Sequence, residues 1–305
     1  MTFTLAITGA NGFVGPHVAQ LAQRAGMRVW AAGREADPAE RLAPFCDAYY
    51  GTDLTGDWPF PVGVDAVVHL AGLAAVGRSF SEPQRYLEVN SSIMTVMCET
   101  LLARSEGARV IVVSSGAVYA PPSEGRSVDE AHAMAATSPY AVAKLLVETQ
   151  AEYYSRRGVD TVVARPFNHI GPGQGPGFLI PDLTRKLRSA VPGEPLQTGN
   201  LSTARDYTDV RDVAAAYVTL ASASVHEYAT YNVGSGRSHT GAEMLEALAS
   251  ALDVPVPPTS IDTGLLRPGD VADVRGDASR LRDEFGWVPT IDWRSSITDY
   301  VGALE

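Results

Sequence analysis

Short apolar runs alternate with longer helical patterns through the first half of the chain. The runs are rich in β-branched residues and bounded by polar residues or glycine, as buried strands are, and we predict strands at Phe3–Thr8, Arg28–Ala32, Asp65–Leu70, Arg109–Val113 and Asp160–Ala164. Helical spacing follows the first strand and recurs around Glu82–Arg104 and Pro139–Arg157. Because strands that alternate with helices need crossover connections, the pattern predicts an α/β fold with a doubly wound parallel sheet.

The pattern changes after Arg165. Residues 171–177 read Gly-Pro-Gly-Gln-Gly-Pro-Gly, which predicts a structured loop. Helical spacing then returns near Ile180–Ala190, Val210–Ala221, Met244–Leu252 and Ser295–Leu304. We predict a sheet domain of residues 1–167 and 208–234. A smaller, mostly C-terminal substrate-binding lobe of residues 168–207 and 235–305 is expected over the carboxyl ends of the strands, where open parallel sheets bind ligands.

The composition narrows the class of protein. The chain has 305 residues, of which 45% are apolar, and a formal net charge of −11. An acidic chain without a basic run argues against nucleic acid or an anionic membrane as a partner. No apolar stretch approaches the roughly 18 residues of a spanning helix, and no charged signal segment is evident, so we expect a cytoplasmic protein. Cys46 and Cys98 are expected to be reduced core thiols, and the six histidines show no zinc-ligand spacing.

A glycine-rich turn joins the first strand to the first helix. It reads Gly-Ala-Asn-Gly-Phe-Val-Gly over residues 9–15. Glycines let the backbone approach a pyrophosphate, and the N-terminus of the following helix offers free N–H groups and a partial positive charge. The spacing alone is weak, but its place between a strand and a helix predicts a Rossmann-type NAD(P)-binding domain. The predicted cofactor contacts in this turn are Gly9, Asn11, Gly12, Phe13 and Gly15.

The end of the second strand bears on which dinucleotide binds. NAD sites usually place a carboxylate there to bond the ribose hydroxyls, whereas this chain continues from Gly33 to Arg34. A guanidinium favours the 2′-phosphate of NADP(H). NAD(H) stays possible if Arg34 is solvated and Glu35 takes the ribose. Asp53 and Leu54 follow a further strand, which lies before the one at Asp65–Leu70 and whose bounds the apolar pattern does not define. They are expected to flank the adenine, although Asp53 also suits a turn.

A tyrosine and a lysine four residues apart, Tyr140 and Lys144, share one face of a predicted helix. The chain has only two lysines, Lys144 and Lys186, so the pair is informative. A tyrosine with a pKa of about 10 exchanges protons poorly at neutral pH, and we expect the ammonium and an oxidised nicotinamide to lower that pKa. Ser114 and Ser115 follow a predicted strand, where a hydroxyl is placed to hold a substrate oxygen against Tyr140.

Together these features resemble the extended short-chain dehydrogenase/reductases that act on nucleotide sugars. The shared motifs are the glycine turn, Ser114-Ser115, Tyr140-x-x-x-Lys144, Arg205-Asp-Tyr-Thr-Asp-Val-Arg-Asp212, Arg267-Pro-Gly-Asp270 and Gly286-Trp-Val-Pro289. The resemblance implies that Ser115 is the catalytic serine, Tyr140 the general acid/base and Lys144 its partner and the anchor of the cofactor ribose. It also implies that Asn90 is a structural asparagine. The further positions that it implies along the cofactor are Leu70, Ala71, Gly72, Asn90 and Pro166.

A narrower resemblance is to the GDP-4-keto-6-deoxy-D-mannose reductases. It rests on Arg165-Pro-Phe-Asn-His-Ile-Gly-Pro-Gly-Gln174, Phe178-Leu-Ile-Pro181 and Gly77-Arg-Ser-Phe80 with Tyr86-Leu-x-Val-Asn90. It implies NAD(P)H-dependent reduction of the C4 ketone of a nucleotide-diphosphate 6-deoxy sugar. The candidate substrate-binding residues are Ser115, Asn168, Phe178, Arg205 and Arg267. Arginine suits phosphate oxygens, but internal contacts are open alternatives for Asn168 and both arginines, and His169 is interpreted as a structural histidine.

Three other functions share some of these features. A nucleotide-sugar 4-epimerase has the same Ser/Tyr/Lys set but keeps NAD bound, and the missing carboxylate at Gly33 argues mildly against it. A 4,6-dehydratase carries an Asp-Glu pair after the catalytic hydroxyl, where this chain has Gly116 and Ala117. A catalytically silent dinucleotide sensor is disfavoured because the catalytic set is intact.

The resemblance also suggests a homodimer. Its two predicted helices, Glu82–Arg104 and Pro139–Arg157, would pair with those of a second copy as a four-helix bundle. The apolar residues that either line this interface or face the sheet are Val96, Leu101, Leu145 and Leu146.

Overall fold

The structure, a computed structural model, describes residues 2–123, 125–191, 193–265 and 271–304. Within these ranges the chain forms thirteen strands: β1 (Thr4–Thr8), β2 (Arg28–Gly33), β3 (Ala48–Gly51), β4 (Ala66–His69), β5 (Arg109–Val113), β6 (Thr161–Pro166), β7 (Asn168–Ile170), β8 (Leu196–Thr198), β9 (Ala204–Asp209), β10 (Thr230–Val233), β11 (Ser238–Thr240), β12 (Thr259–Ile261) and β13 (Asp273–Val274). It also forms nine α-helices: α1 (Gly15–Arg24), α2 (Val76–Ser79), α3 (Pro83–Ala103), α4 (Pro139–Arg156), α5 (Leu179–Arg188), α6 (Val210–Ser222), α7 (Gly241–Ala251), α8 (Ser279–Phe285) and α9 (Trp293–Gly302).

Seven strands form one parallel sheet in the order β10-β6-β5-β4-β1-β2-β3. The strand order reverses next to β1, which lies between β2 and β4, and a crevice opens at such a switch point. The predicted Rossmann-type fold is therefore confirmed. The two strands whose bounds were not predicted, β3 and β10, are the edge strands of the sheet. Neither has a run of buried apolar residues like that of β4: β3 is half-buried to exposed, and β10 mixes polar with apolar residues.

Helices cover both faces of this sheet, as predicted. On one face α1 and α6 pack against it through side chains such as Val18 and Tyr217. On the other, α3 and α4 pack through Met94 and Val147. Cys98 is a free, buried thiol on that face, whereas Cys46 is free but only half-buried.

The second lobe contains more sheet than the sequence indicates. Strands β7, β9, β11 and β13 form one small sheet, and β8 pairs with β12. These strands have six residues at most, so alternation along them gives little signal. The predicted helices are present as α5, α7 and α9, whose apolar faces share one core. The Gly171–Gly177 segment is a loop, as expected. The division of the chain into two domains at the stated boundaries stays a prediction.

Two features are absent from the residues that the structure describes, a membrane-spanning helix and a metal-ligating cluster. No helix there is long and apolar enough to cross a membrane. No cluster of three or more His, Cys, Asp or Glu side chains in those ranges is suited to hold a metal ion.

Candidate active site

The end of β5 is held by α4. Lys144 Nζ donates to the carbonyl of Val113, the last residue of β5, at 2.8 Å. The hydroxyl of Tyr140 is hydrogen-bonded to the side chain of Ser115. Ser115 Oγ also accepts from the N–H of Ala117 at 3.1 Å, so the serine caps a single 3₁₀ turn. The structure therefore brings together the three predicted catalytic residues.

The start of α4 explains why Tyr140 and Lys144 face this strand end. Ser138 caps the helix by accepting from the N–H of Ala141 at 3.1 Å, and Pro139 occupies the first turn, where its missing N–H costs nothing. Tyr140 is therefore in the first turn and Lys144 one turn further along the same face.

Burial dominates the electrostatics of these two groups. Tyr140 is 8% exposed, and burial raises the pKa of its phenol, although the hydrogen bond with Ser115 opposes that rise. Burial lowers the pKa of Lys144 to about 8, opposed by the carboxylate of Glu148. We expected the ammonium to lower the pKa of Tyr140. In the protein alone that pKa is raised instead, because burial outweighs the opposing influence of Ser115. Lys144 Nζ bonds the carbonyl of Val113 and lies 5.9 Å from the centre of the tyrosine ring. Tyr140 is therefore a protonated acid at neutral pH.

A buried histidine and threonine join β1 to β4 at the switch point. Thr8 Oγ1 lies 2.8 Å from His69 Nδ1 and accepts from the N–H of Ala71 at 3.2 Å. Burial, with a smaller contribution from Lys144, lowers the pKa of His69 to about 3, so its ring is neutral. Neither residue was predicted from the sequence, because both read as ordinary ends of apolar strands.

The glycine turn has the close packing that a dinucleotide cradle needs. Gly9 has a φ of +64°, and a Cβ there would lie 2.7 Å from the backbone nitrogen of Ala71. At Gly15 a Cβ would lie 2.1 Å from the carbonyl oxygen of Ala10, so only glycine lets α1 start this close to β1. Gly12 is exposed at the open side of the turn. These residues fit a pyrophosphate lying across the start of α1.

The loop after β4 is fixed by Asn90. Its Oδ1 accepts from the N–H of Leu73 at 2.7 Å, and a Cβ on Gly72 would lie 2.8 Å from the same oxygen. This bond agrees with the structural role implied for Asn90. Leu70, Ala71 and Gly72 thus border the crevice with their backbone, while the contacts of these residues and of Asn90 with a cofactor stay predictions.

The end of β2 is open and charged. Arg34 and Glu35 are both exposed, and no described acidic side chain forms an ion pair with Arg34. Glu35 Oε2 accepts from Asn11 Nδ2 at 3.1 Å, which directs the carboxylate back toward the glycine turn. Asn11 also donates to Tyr49 and accepts from the N–H of Ala39 at 2.7 Å, so its side chain holds the segment after β2.

Asp53 and Leu54 have structural contacts. Asp53 Oδ1 accepts from the N–H and the hydroxyl of Thr55 at 3.0 and 2.8 Å, and these bonds lower the pKa of its carboxyl. Asp53 therefore has the turn contacts considered for it, and its contact with the adenine stays a prediction. Leu54 is 5% exposed and packs in the core, and its contact with the adenine stays a prediction.

The predicted substrate residues lie on several elements beyond β6. Asn168 is exposed on β7 and Phe178 is exposed just before α5, while Pro166 ends β6 as a buried residue. Arg205 on β9 donates to the carbonyls of Ala204 and Val271, both at 2.7 Å, which supports the internal contact considered for it. Arg267 lies outside the described residues.

One contact that sequence reasoning missed joins the second lobe to the glycine turn. The rings of Phe13 and His169 stack with centres 5.7 Å apart, so Phe13 is covered by protein. His169 Nδ1 bonds the carbonyl of Phe167 at 3.2 Å and burial lowers its pKa, as expected of a structural histidine. Arg41 donates to the carbonyls of Gly12 and Gly173 at 3.1 and 2.9 Å. No local pattern signals bonds between residues so far apart in the chain.

The sequence matches the model of the NAD dependent epimerase/dehydratase family over residues 5–234, more than half of the chain. The chain belongs to this family. With its parallel sheet, glycine turn and Ser/Tyr/Lys set, it is an NAD(P)-dependent oxidoreductase of the extended short-chain dehydrogenase/reductase type.

Two relatives show the range of activities within this family. The GDP-6-deoxy-D-mannose reductase of Pseudomonas aeruginosa is 34% identical over 97% of this chain and 95% of the relative. A UDP-glucose 4-epimerase of Neisseria meningitidis is 26% identical over 96% of this chain and 94% of the relative.

Two solved structures with bound dinucleotides also superpose on nearly the whole chain. RMD from Pseudomonas aeruginosa, complexed with NADPH, superposes with a TM-score of 0.83 at 31% identity and covers 99% of this chain and 98% of its own. MoeE5 in complex with UDP-glucose and NAD superposes with a TM-score of 0.83 at 27% identity. The alignment covers 99% of this chain and 98% of the MoeE5 chain. These relatives bind nicotinamide dinucleotides, and one of them binds a nucleotide sugar.

Proposed function

We propose that this enzyme uses NAD(P)H to reduce the C4 ketone of a nucleotide-linked 4-keto-6-deoxy sugar such as GDP-4-keto-6-deoxymannose. The observation that carries the proposal is the cluster of Ser115, Tyr140 and Lys144 at the end of β5, where the phenol of Tyr140 is buried beside Ser115. A ketone that gains a hydride needs a proton at its oxygen, and a positioned acid supplies it. The similarity to the GDP-6-deoxy-D-mannose reductase supports this substrate class.

The proton balance follows from these groups. A bound reduced nicotinamide supplies the hydride to C4. Tyr140 donates its proton to the developing C4 alkoxide, and Ser115 donates a hydrogen bond that holds the same oxygen. The Lys144 ammonium compensates the phenolate left on Tyr140, since an opposite charge nearby favours the ionised form. The product is the C4 alcohol, and Tyr140 regains its proton from solvent before the next turnover.

We also propose NADP(H) as the preferred cofactor, with NAD(H) as the alternative. Arg34 is exposed beside the end of β2 and suits a 2′-phosphate, whereas Glu35 is held by Asn11. The related RMD was solved with NADPH. Gly9, Gly12 and Gly15, with the start of α1, are the residues that would hold the pyrophosphate.

Asn168, Phe178 and Ser115 are proposed to contact the sugar nucleotide, together with the backbone around Arg205. With these contacts the substrate would lie between the sheet domain and the second lobe. The division into residues 1–167 with 208–234 and 168–207 with 235–305 is proposed on the same basis. The cytoplasmic location expected from the sequence stays a prediction.

An epimerase is the second candidate, because UDP-glucose 4-epimerases are among the relatives. The two functions make different demands on the cofactor: an epimerase regenerates its own NAD, while a reductase consumes one reduced dinucleotide per product. The purified protein should be mixed with NADPH and GDP-4-keto-6-deoxymannose, and the near-ultraviolet absorbance of NADPH followed. We expect a loss of absorbance that requires both components. Copurified NAD with interconversion of C4 epimers and no NADPH consumption would establish the epimerase instead, and UDP-, dTDP- and CDP-linked substrates would define the base.

A homodimer through α3 and α4 is proposed as well. The outer face of α4 exposes Val142, Leu146 and Tyr153 at 42%, 38% and 53%. Of the four residues suggested from the sequence, Leu146 alone is exposed: Leu101 is 1% exposed in the core, and Val96 and Leu145 pack against core clusters. Light scattering on the purified protein should give twice the chain mass, and Leu146→Glu should reduce it to one chain mass. A monomeric wild type would refute the dimer.

A further inference from the structure

The face of α4 that carries Tyr140 and Lys144 continues for one more turn, to Glu148. These three side chains, spaced four residues apart, contact three consecutive residues at the end of β5. Tyr140 bonds Ser115, Lys144 bonds the carbonyl of Val113, and Glu148 accepts from the hydroxyl of Ser114. None of the sequence motifs described above includes Glu148.

Glu148 also receives a buried arginine from the neighbouring strand. Arg165 on β6 donates from Nε and Nη2 to the two carboxylate oxygens, at 3.0 and 2.6 Å. The side chains of Arg165 and Glu148 are 4% and 10% exposed. Arg165 Nη1 donates in addition to the hydroxyl of Tyr119 at 2.9 Å. One carboxylate therefore pairs with the buried Arg165 and, one helical turn from Lys144 on the same face of α4, raises the pKa of that lysine.

The other titratable groups around this cluster do not replace that carboxylate. His69, which faces Lys144 from β4, is neutral at physiological pH. Tyr140, on the same helix, is protonated, and burial raises the pKa of Tyr119 to about 12, so it is protonated as well. Burial and Glu148 are the influences that set the pKa of Lys144 near 8.

We propose that Glu148 is a positioning residue for the reduction: it fixes Ser114, and with it the backbone that carries Ser115, and it is the counter-charge that keeps the Lys144 ammonium beside Tyr140 charged. This proposal rests on the proposed function in one respect, that the reaction which Glu148 supports is the reduction of a ketone. The competing explanation is an ordinary internal ion pair, in which Glu148 serves Arg165 and has no influence on Lys144.

Arg165→Met separates the two explanations, because it removes the ion pair and leaves the carboxylate facing Lys144. Glu148→Gln removes the charge while its amide oxygen still accepts from Ser114. Glu148→Gln alone leaves Arg165 buried without a counter-charge, which is strongly destabilising. The double variant Glu148→Gln/Arg165→Met has no unpaired charge and is the variant to use if the single one does not fold.

The scarcity of lysine makes a direct measurement simple. Full-length protein grown with lysine labelled with carbon-13 at Cε should give two lysine signals, and Lys186→Arg, a change on α5 in the second lobe, assigns the one from Lys144. The midpoint of its pH titration should lie near 8 in the wild type. It should fall by about one pH unit in both variants that carry Glu148→Gln and should not fall in Arg165→Met.

An unchanged midpoint in the Glu148→Gln variants would overturn the proposal, as would an equal fall in Arg165→Met. Because this titration needs no substrate, it tests Glu148 even if the enzyme proves to be an epimerase. The kinetic readout is the alkaline limb of kcat/KM, which should move with the Lys144 midpoint in each variant. If the Lys144 midpoint moves and the alkaline limb of the kcat/KM profile does not, the role of Glu148 in the reaction is contradicted.

Discussion

The two ends of the crevice are built in opposite ways. At the end of β5, Ser115, Tyr140 and Lys144 are at least half-buried, and each is hydrogen-bonded to the protein before any ligand binds. At the end of β2, Arg34 is exposed and no described acidic side chain pairs with it. Proton transfer needs a fixed geometry and shifted pKa values, which burial provides. Recognition of a phosphate needs a charge that the ligand can neutralise. The comparison predicts large effects of substitution at the first end and graded ones at the second.

The largest effect should follow from Tyr140→Phe, because it removes the only proposed proton donor and leaves the ring packed in place. We expect kcat for ketone reduction to fall by about 10²–10⁴-fold. The dissociation constant of NADPH, measured by fluorescence, should change little. The matched control is Tyr153→Phe on the exposed side of the same helix, which should keep wild-type turnover. Normal turnover in Tyr140→Phe would contradict the assignment.

The next effect is a loss of activity at alkaline pH. Because the pKa of Lys144 is about 8, kcat/KM should fall by about tenfold for each pH unit above that value as the ammonium is lost. Protein stability should move the other way. The lysine binds its proton more weakly in the folded than in the unfolded protein, so its contribution to stability rises between pH 8 and its ordinary pKa of 10.5. Urea unfolding at each pH separates the change in activity from the change in stability. If activity is lost only where the protein unfolds, the prediction is refuted.

At the exposed end, Arg34→Ser should change cofactor choice more than turnover. Loss of a guanidinium that pairs with a 2′-phosphate should reduce the preference for NADPH over NADH, as the ratio of kcat/KM values, by about 10- to 100-fold. Arg24→Ser, at the far end of α1, is the control and should leave the ratio unchanged. A ratio that is equally unchanged in Arg34→Ser would place the adenosine phosphate elsewhere.

The smallest effect is expected for Glu35→Gln. This change removes a negative charge next to Arg34 while the amide oxygen still accepts from Asn11. Exposed charges interact weakly, so NADPH should bind only about two- to threefold more tightly, and the gain should disappear in high salt. Titrations of the wild type and the variant with NADPH at low and high salt measure this difference in affinity. Tighter binding of NADH than of NADPH in this variant would mean that Glu35 does not face the 2′-position.

Much of the fold and of the catalytic end could be predicted from the sequence, since these depend on local patterns. Apolar runs marked the five inner strands, glycine spacing marked the turn at residues 9–15, and the i, i+4 spacing marked Tyr140 and Lys144. The edge strands β3 and β10 were not predicted, because they lack the run of buried apolar residues that marks β4, which is equally short. The small sheets of the second lobe were not predicted, because their strands are too short for periodicity to appear.

The pKa values and the side-chain partners could not be predicted in the same way. The expected lowering of the Tyr140 pKa is reversed by burial, and Asp53 is used in a turn with Thr55. Leu54 faces the core, and Asn11 bonds Glu35 and the segment after it. Each outcome depends on neighbours that packing supplies, so residue type and spacing alone did not decide between the alternatives.

By itself the sequence determined which chemical groups this protein has: a glycine turn before a helix, a tyrosine with a lysine four residues on, and an arginine directly after Gly33 at the end of the second strand. The tertiary structure decided how those groups are tuned. It buried Tyr140, which raises the pKa of the phenol, and it paired Glu148 of α4, one helical turn from Lys144, with Arg165 of β6. The physical reason is that strand and helix signals are local along the chain, whereas desolvation and charge pairing depend on distances in space that only the folded chain sets.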